Sequence, residues 1–174
     1  RIAFVNKLDR MGADFHAVVS DMRKKLNANA VPVQLPWGAE ENFKGCIDLV
    51  ELQALTYEEG SLGAKVARQD IPAELAAAAE KARADLVEKV AEKDEAVLEA
   101  FLEGVDVDAA LLKQGIRRLT IANELTPVIC GSALKNKGIQ QILDAVVDYL
   151  PSPSEVVDIH GINPKTGETE TVRA

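Results

Sequence analysis

The sequence predicts an α/β fold, in which a partial parallel sheet with flanking helices carries an inserted α+β segment. Residues 1–5 and 126–131 are short apolar runs without the alternation of a half-exposed strand, which is typical of buried parallel strands. Each run is followed by a polar loop and then by a helical pattern. Residues 36–125, which lie between these two strand–helix units, have the pattern of short strands and then of helices. The layout therefore predicts a sheet domain interrupted by a second, smaller unit.

Length and composition limit the classes of protein to consider. The 174 residues fit one ordinary domain or one domain with a large insertion. With 47% hydrophobic residues and a formal net charge of −8, the chain is typical of a soluble globular protein and unsuited to non-specific DNA binding. Cys46 and Cys130 are too few for a disulfide framework, and no apolar run reaches membrane-spanning length. We therefore expect a cytoplasmic protein without membrane contact or direct DNA binding.

The first strand–helix unit begins at the first residue. Because residues 1–5 start without an initiator Met, a turn or a cap, we expect a piece of a longer protein; an edge strand with a processed terminus is the alternative. Asp14 is placed to cap a helix. The apolar residues at helical spacing after it are Phe15, Val18, Val19, Met22 and Leu26. Residues 30–35 then predict a strand that ends at Pro36-Trp37-Gly38.

The inserted segment changes its pattern at residue 71. Residues 43–50 and 52–57 predict two strands of a small sheet, and residues 60–63 predict a turn. A helix then begins at Ile71 with Pro72 in its first turn, and its apolar stripe is Ile71, Leu75, Ala79, Ala82, Leu86 and Val90. Asp94 predicts the start of a second helix, which Gly104 ends. Asp106 or Asp108 is placed to cap a third helix.

The second strand–helix unit follows the insert. Residues 126–131 predict a buried strand with Pro127 confined to its beginning. The helix after it has a broad apolar face made of Ile139, Ile142, Leu143, Val146, Val147 and Leu150. Pro151 and Pro153 end that helix, and residues 163–167 predict a turn within a linker toward another domain.

A polar tetrapeptide, Asn6-Lys7-Leu8-Asp9, follows the first strand directly. The Asp9 carboxylate can accept from two adjacent donors on one edge of guanine, whereas adenine presents the wrong pattern there. Asn6 can reach the guanine N7 atom or tie neighbouring loops together, and the stem of Lys7 can cover the face of a base. Chance occurrence of so short a pattern is the alternative.

A second loop of small residues, Cys130-Gly131-Ser132-Ala133-Leu134-Lys135, follows the other buried strand. The Ala133 amide is placed to donate to the guanine O6 atom, and the Ser132 hydroxyl can support Asp9. Taken alone, the loop is a common strand-to-helix turn. Because parallel strands end at one edge of a sheet, two such loops together favour guanine recognition.

The sequence gives no sign of a phosphate-binding loop, a metal site or a reactive cysteine. The 174 residues contain no G-x-x-x-x-G-K-[ST] loop to hold phosphates, so we expect no catalytic residue and no hydrolysis by this chain alone. His16 and His160 lack neighbours at metal-ligand spacing, so we expect no metal site. Cys130 has no evident base partner and is interpreted as a small buried apolar residue.

The helical part of the insert is strongly acidic. Between residues 71 and 106 there are ten acidic and four basic residues, which gives −6 by subtraction. Such a run is typical of a solvated helix face. A docking surface for a basic partner is the alternative.

Long stretches of the chain resemble the bacterial-type translation elongation factor G family. Residues 6–13 and 130–138 are similar to its fourth and fifth guanine-nucleotide motifs, residues 34–50 to the start of its insert, and residues 144–153 to its exit toward a β-barrel domain. Trp37 departs from the aliphatic residue more usual there. The resemblance implies a partial Ras-like P-loop GTPase domain in residues 1–35 and 126–150. It also implies an inserted G′ subdomain in residues 36–125 and a linker with the start of the next domain in residues 151–174.

The resemblance also implies a function and a set of contacts. The implied guanine-nucleotide contacts, for GTP or GDP, are Asn6, Lys7, Asp9, Ser132, Ala133 and Leu134. The parent protein would be a monomeric, cytoplasmic GTPase that drives translocation of tRNA and mRNA on the ribosome, with Mg²⁺ bound by segments outside this sequence. The helix at residues 71–93 would dock on the C-terminal domain of the acidic ribosomal stalk protein through Lys81, Arg83 and Lys89.

Two other functions stay open at the level of sequence. The chain could be a free-standing acidic interaction module whose base-reading loops are vestigial. It could also belong to a ribosomal-protection or release-type GTPase, which the insert sequence disfavours.

Overall fold

The computed structural model describes residues 1–58, 60, 61, 63, 65–155 and 159–172. Its strands are β1 (Ala3–Val5), β2 (Ala30–Pro32), β3 (Gln34–Trp37), β4 (Gly45–Asp48), β5 (Gln53–Tyr57), β6 (Val66–Gln69), β7 (Thr126–Cys130), β8 (Ile159–Ile162) and β9 (Thr169–Val172). Its helices are α1 (Phe15–Leu26), α2 (Ala73–Ala91), α3 (Glu95–Leu102), α4 (Ala109–Ile121) and α5 (Ile139–Tyr149). Single 3₁₀ turns occur at Glu40–Asn42, Ala133–Lys135 and Pro153–Glu155.

The two predicted buried strands lie side by side in a parallel sheet of order β1-β7-β2. Ala3 is in register with Val128, and Val5 is in register with Cys130. Residues 127–130 of β7 are buried, which explains why this run lacks alternation. The predicted α/β architecture, a parallel sheet flanked by helices with an inserted α+β part, is confirmed.

Helix α1 begins where its sequence signal predicts. Asp14 has an extended backbone, and its side chain accepts a hydrogen bond from the Ala17 amide at 2.9 Å. Of the predicted apolar stripe, Phe15 and Val19 are buried, whereas Leu26 is exposed. The cap is therefore confirmed, and the stripe is narrower than the sequence predicts.

The prediction of one strand over residues 30–35 is wrong. The chain instead forms β2 and β3, which belong to different sheets and are separated by Val33. The Val33 amide donates to Val128 O at 3.0 Å in the parallel sheet, and Val33 O accepts from the Leu49 amide at 3.0 Å. This one residue therefore joins the two sheets, and β3 continues through Pro36 to Trp37.

An antiparallel sheet of order β3-β4-β5-β6 follows the junction at Val33. The predicted small sheet around Gly45 is therefore confirmed. A Cβ atom at Gly45 would lie 1.9 Å from Leu55 O, so the close approach of β5 requires glycine there. Strand β6 was not predicted, because Ala67, Arg68 and Gln69 are exposed and carry no alternating pattern.

Three helices complete the insert. Pro72 precedes α2 instead of lying in its first turn. Asp94 caps α3 by accepting from the Val97 amide at 3.1 Å, and Asp108, not Asp106, caps α4 by accepting from the Leu111 amide at 2.7 Å. Gly104 follows α3 with φ of 68°. The largest fully buried apolar side chains around these helices are Ile47, Leu49, Leu86, Leu112, Ile116 and Leu125.

The C-terminal part described by the structure is a β-hairpin. Strands β8 and β9 pair antiparallel, and the predicted turn is present, since Asn163 O accepts from the Gly167 amide at 2.8 Å. Residues 156–158, 173 and 174 of the predicted linker, and Leu62 of the predicted turn at residues 60–63, lie outside the described residues.

The described residues were compared with two further kinds of feature, a membrane-spanning helix and a metal site. None of the helices in the described part of the chain is both long and apolar enough to cross a bilayer. Across the same described ranges, no three His, Cys, Asp or Glu side chains are grouped so that they could hold a metal ion.

Candidate functional site

The two polar loops singled out in the sequence meet at one edge of the parallel sheet. Strands β1 and β7 are parallel neighbours, so the loops that follow them leave the sheet side by side. The Gly131 amide donates to Val5 O at 3.0 Å, and the Leu8 amide donates to Gly131 O at 3.2 Å. These bonds extend the strand pairing into the loops and fix their separation.

Asn6 links the two loops through its side chain. Its Oδ1 atom accepts from the Ala133 amide at 2.9 Å and from the Lys7 amide at 2.8 Å. Two roles were predicted for Asn6, contact with guanine N7 and linkage of the two loops. In this structure its Oδ1 atom links the loops. Its Nδ2 group has no hydrogen-bond partner in the described ranges and can still donate outward to a ring nitrogen. The Ala133 amide, predicted to donate to O6, is engaged by Asn6 in this structure.

Lys7 has a left-handed backbone with φ of 65°. Such a conformation is costly for a side chain larger than glycine and persists where surrounding bonds enforce it. Here the Lys7 amide is held by Asn6, and Lys7 O accepts from the Arg10 amide at 3.0 Å. The turn leaves the Lys7 side chain exposed beside the loop.

Asp9 and Ser132 come together across the two loops. The Ser132 hydroxyl beside Asp9 is the main cause that lowers the pKa of the Asp9 carboxyl, and Arg10 and Lys135 lower it further. Ser132 Oγ is buried and has no hydrogen bond of normal geometry within the described residues. Asp9 is therefore ionised at neutral pH and offers only acceptors, which suits two adjacent N–H donors of a ligand.

The second loop is held in a tight turn. Ser132 and Lys137 exchange backbone hydrogen bonds of 2.9 and 3.0 Å. A Cβ atom at Gly131 would lie 2.3 Å from Lys137 O, and one at Gly138 would lie 2.7 Å from Cys130 O. The close approach requires glycine at both positions. At the outer end of this turn, Leu134 is 73% exposed, so it presents an apolar surface next to the polar groups.

An open cavity of about 440 Å³ lies beside Asp9. Its lining residues are Asp9, Arg10, Glu40, Glu41, Phe43, Leu134, Lys135 and Lys137. A larger cavity of about 620 Å³ lies between α1 and α2, away from both loops. Of the six predicted contact residues, only Asp9 and Leu134 line the smaller cavity, and none of the six lines the larger one.

Six of the eight lining residues of this cavity are not among the predicted base contacts. Glu40, Glu41 and Phe43 lie in the loop between β3 and β4, and Arg10, Lys135 and Lys137 lie within the two motif segments, residues 6–13 and 130–138. No spacing or motif connects residue 40 with residue 9, because the contact depends on how the insert folds back on the sheet. The signal that could have located Lys137 is its position within the continuous run of residues 130–138.

The basic residues predicted to face a partner do not share one surface. Lys81 is exposed and Lys89 is half-buried in an ion pair with Glu92. Arg83 points inward: Nη1 donates to Leu49 O and Val50 O at 2.8 and 2.9 Å, and Nη2 donates to Val107 O at 2.6 Å. The expectation that Arg83 belongs to the contact face is therefore corrected, because its guanidinium is occupied within the chain.

Comparison with known proteins adds two findings. Residues 1–152 match the family described as Elongation factor Tu GTP binding domain. The chain is also similar to the crystal structure of the protein ttk003000868 from Thermus thermophilus, with a TM-score of 0.75 and 27% sequence identity. That similarity covers 96% of this chain and 26% of the solved chain. This chain thus spans about a quarter of the length of the solved protein that it matches.

Proposed function

The chain belongs to the elongation factor Tu GTP-binding domain family, and from this premise we propose that its two loops read the guanine base for a translational GTPase. The observation that carries the proposal is the bond between Asn6 Oδ1 and the Ala133 amide, 2.9 Å long. It joins residues that are 127 positions apart, at the edge of the sheet where ligands of α/β proteins bind. The six residues proposed to form the base-reading site, directly or by supporting a contact residue, are Asn6, Lys7, Asp9, Ser132, Ala133 and Leu134.

The chemistry of these groups suits guanine better than adenine. The ionised Asp9 carboxylate accepts from the ring N–H and the exocyclic amine of guanine, two donors that adenine does not present on that edge. Asn6 Nδ2 donates to the ring nitrogen N7. The stem of Lys7 and the exposed side chain of Leu134 cover the two faces of the flat base. The Ser132 hydroxyl, buried and without another side-chain partner in the described ranges, steadies Asp9.

We propose further that the parent protein is of the elongation factor G kind and couples GTP hydrolysis to translocation of tRNA and mRNA on the ribosome. The resemblance of residues 34–50 and 144–153 to that family supports this finer assignment. The proposed organisation is a G domain in residues 1–35 and 126–150, a G′ insert in residues 36–125, and the start of the next domain in residues 151–174. Phosphate and Mg²⁺ contacts come, in this proposal, from other parts of the parent protein.

Because the proposal places the base contacts in this chain and the phosphate and Mg²⁺ contacts elsewhere, it predicts that the 174-residue chain binds nucleotide weakly. Backbone amides and a lysine of a phosphate-binding loop provide much of the affinity for a nucleotide in GTPases, and this sequence contains no such motif. We expect titration calorimetry with GDP to give a dissociation constant weaker than roughly 100 μM, unchanged by Mg²⁺. Tight, Mg²⁺-dependent binding would contradict the proposal, and a measurable affinity for ADP equal to that for GDP would contradict the assignment of a guanine-reading site.

A second proposed contact joins α2 to the acidic C-terminal domain of the ribosomal stalk protein. With Arg83 occupied internally, the two other basic residues predicted for this contact, Lys81 and Lys89, remain toward solvent. Charge reversal by Lys81→Glu in the parent protein should weaken capture of the stalk domain by roughly two- to fivefold, since rim charges act modestly. Lys89→Glu should act less strongly, because Glu92 already screens Lys89.

The matched control for this prediction is Lys165→Glu, an exposed lysine in the hairpin turn. It makes the same charge change far along the chain from α2. If both reversals lower binding equally, the effect is one of net charge. If neither does, the docking face is elsewhere.

A further inference from the structure

The loop between β3 and β4, residues 38–44, touches both base-reading loops. We propose that Glu40 in this loop is a positioning residue for base recognition, which holds Asp9 in place from the insert side. This inference rests on the proposed guanine-reading function of Asp9. It assigns the insert a role at the nucleotide site in addition to any role in binding a partner.

Glu40 contacts the first base-reading loop at two points, one on each side of Asp9. Its amide donates to Leu8 O at 2.9 Å, and its Oε1 atom accepts from the Gly12 amide at 2.7 Å. Leu8 precedes Asp9, and Gly12 ends the turn that follows it. The stretch that contains Asp9 is therefore held at both ends by one residue of the insert.

The same loop contacts the second base-reading loop through Lys137. The Lys137 ammonium donates to Phe43 O at 2.7 Å and lies 5.7 Å from the centre of the Phe43 ring. Lys137 is also paired by two backbone hydrogen bonds with Ser132, the residue that lies beside Asp9. The insert thus reaches the surroundings of Asp9 by two separate routes.

Residues 38–44 are well anchored for such a role. Phe43 is buried in the same apolar cluster as Leu8. Gly38 has φ of 82°, and a Cβ atom there would lie 2.1 Å from Asn42 O, so the turn closes tightly. Glu40 itself has a left-handed backbone with φ of 54°, a conformation that persists where surrounding contacts fix it.

The position of the Asp9 carboxylate affects chiefly its hydrogen bonds to the N–H donors of guanine, because these bonds depend on angle as well as distance. A small displacement of Asp9 weakens a pair of hydrogen bonds to the base more than it weakens binding of the remainder of the nucleotide. The exocyclic amine of guanine is one of the two donors to Asp9. Inosine diphosphate lacks that amine and is otherwise the same ligand. The ratio of GDP to inosine diphosphate affinity therefore reports how well Asp9 is positioned.

The test uses the full-length parent protein and measures the dissociation constants of GDP and inosine diphosphate. Glu40→Ala removes the bond to Gly12, and we expect GDP binding to weaken by roughly three- to tenfold and the preference for GDP to fall at least about twofold. Glu40→Gln keeps an oxygen acceptor for Gly12, so it should restore most of the preference. Glu99→Ala is the matched control, because Glu99 is an exposed glutamate of α3, outside the cavity beside Asp9, whose side chain has no hydrogen bond or ion pair in the described ranges.

A second variant addresses the case in which Glu40→Ala does not fold. Lys137→Met breaks the bond to Phe43 O and should lower the same ratio. If both variants fold and keep the GDP preference of the unmodified protein, the inference is overturned. If the unmodified protein binds neither nucleotide, the proposed guanine-reading function fails instead, which is a different result from loss of the ratio.

Discussion

Asp9→Asn in the full-length parent protein is expected to weaken GDP binding by roughly a hundredfold or more and to make xanthosine diphosphate the better ligand. The hydrogen bond to the exocyclic amine is lost and the bond from the ring N–H loses its charged acceptor; a hydrogen bond to a charged group is worth about 1.5–3 kcal/mol. The asparagine amide then opposes the exocyclic amine of guanine with a donor of its own. Xanthine carries an oxygen at that position, which can accept from the new amide while its ring N–H donates to the asparagine oxygen.

The affinities of the Asp9→Asn variant for GDP and for xanthosine diphosphate can be measured by letting each unlabelled nucleotide compete with labelled GDP. Asp14→Asn is the matched control, because it makes the same carboxylate-to-amide change at the helix cap of α1, where asparagine is also a good cap. We expect Asp14→Asn to leave both affinities unchanged. If Asp9→Asn retains the preference for GDP, Asp9 does not read the base.

Arg83→Met is expected to lower the free energy of unfolding by about 2–4 kcal/mol. The guanidinium donates to Leu49 O, Val50 O and Val107 O, and so joins the end of β4 to the segment before α4. Methionine preserves most of the apolar stem but leaves these carbonyl groups without their donor. Burial lowers the pKa of Arg83, so the protein already bears a cost for placing the charge there.

Urea denaturation of the 174-residue chain, followed by circular dichroism, measures this change. Lys81→Met on the exposed side of the same helix is the control and should alter stability by less than about 0.5 kcal/mol. Equal stability of the two variants would show that Arg83 is not structural.

Local signals in the sequence were sufficient for most of the secondary structure. Asp14, Asp94 and Asp108 cap the helices that follow them, because an N-cap acts over three residues and needs no distant partner. The same holds for β7, whose lack of alternation reflects coverage of both faces, whereas β1 lies at the edge of the described sheet and only its Val5 is buried, so the prediction of a buried strand there is not confirmed. Since parallel strands end at one edge, the approach of Asp9 to Ser132 could be predicted as well.

The features that the sequence could not provide all depend on tertiary contacts. The break at Val33 arises because its two backbone groups bond to different segments, and Pro32 directly before it is a local signal of interruption that the strand prediction did not use. Arg83 lies in a charged helix, where exposure is the usual expectation. Its inward direction follows from three carbonyl groups contributed by distant segments. Glu40 reaches Gly12 for the same kind of reason.

The junction at Val33 fixes the length of the chain at that point. Strand residues alternate between two faces, so one additional residue there would turn every side chain of β3 to the opposite face. Gln34, whose Oε1 accepts from the Cys130 amide at 3.4 Å, would then point away from the strand that leads into the second base-reading loop. Insertions and deletions are therefore better tolerated at places such as the exposed residues around Gly104, whereas the junction itself has a single permitted length.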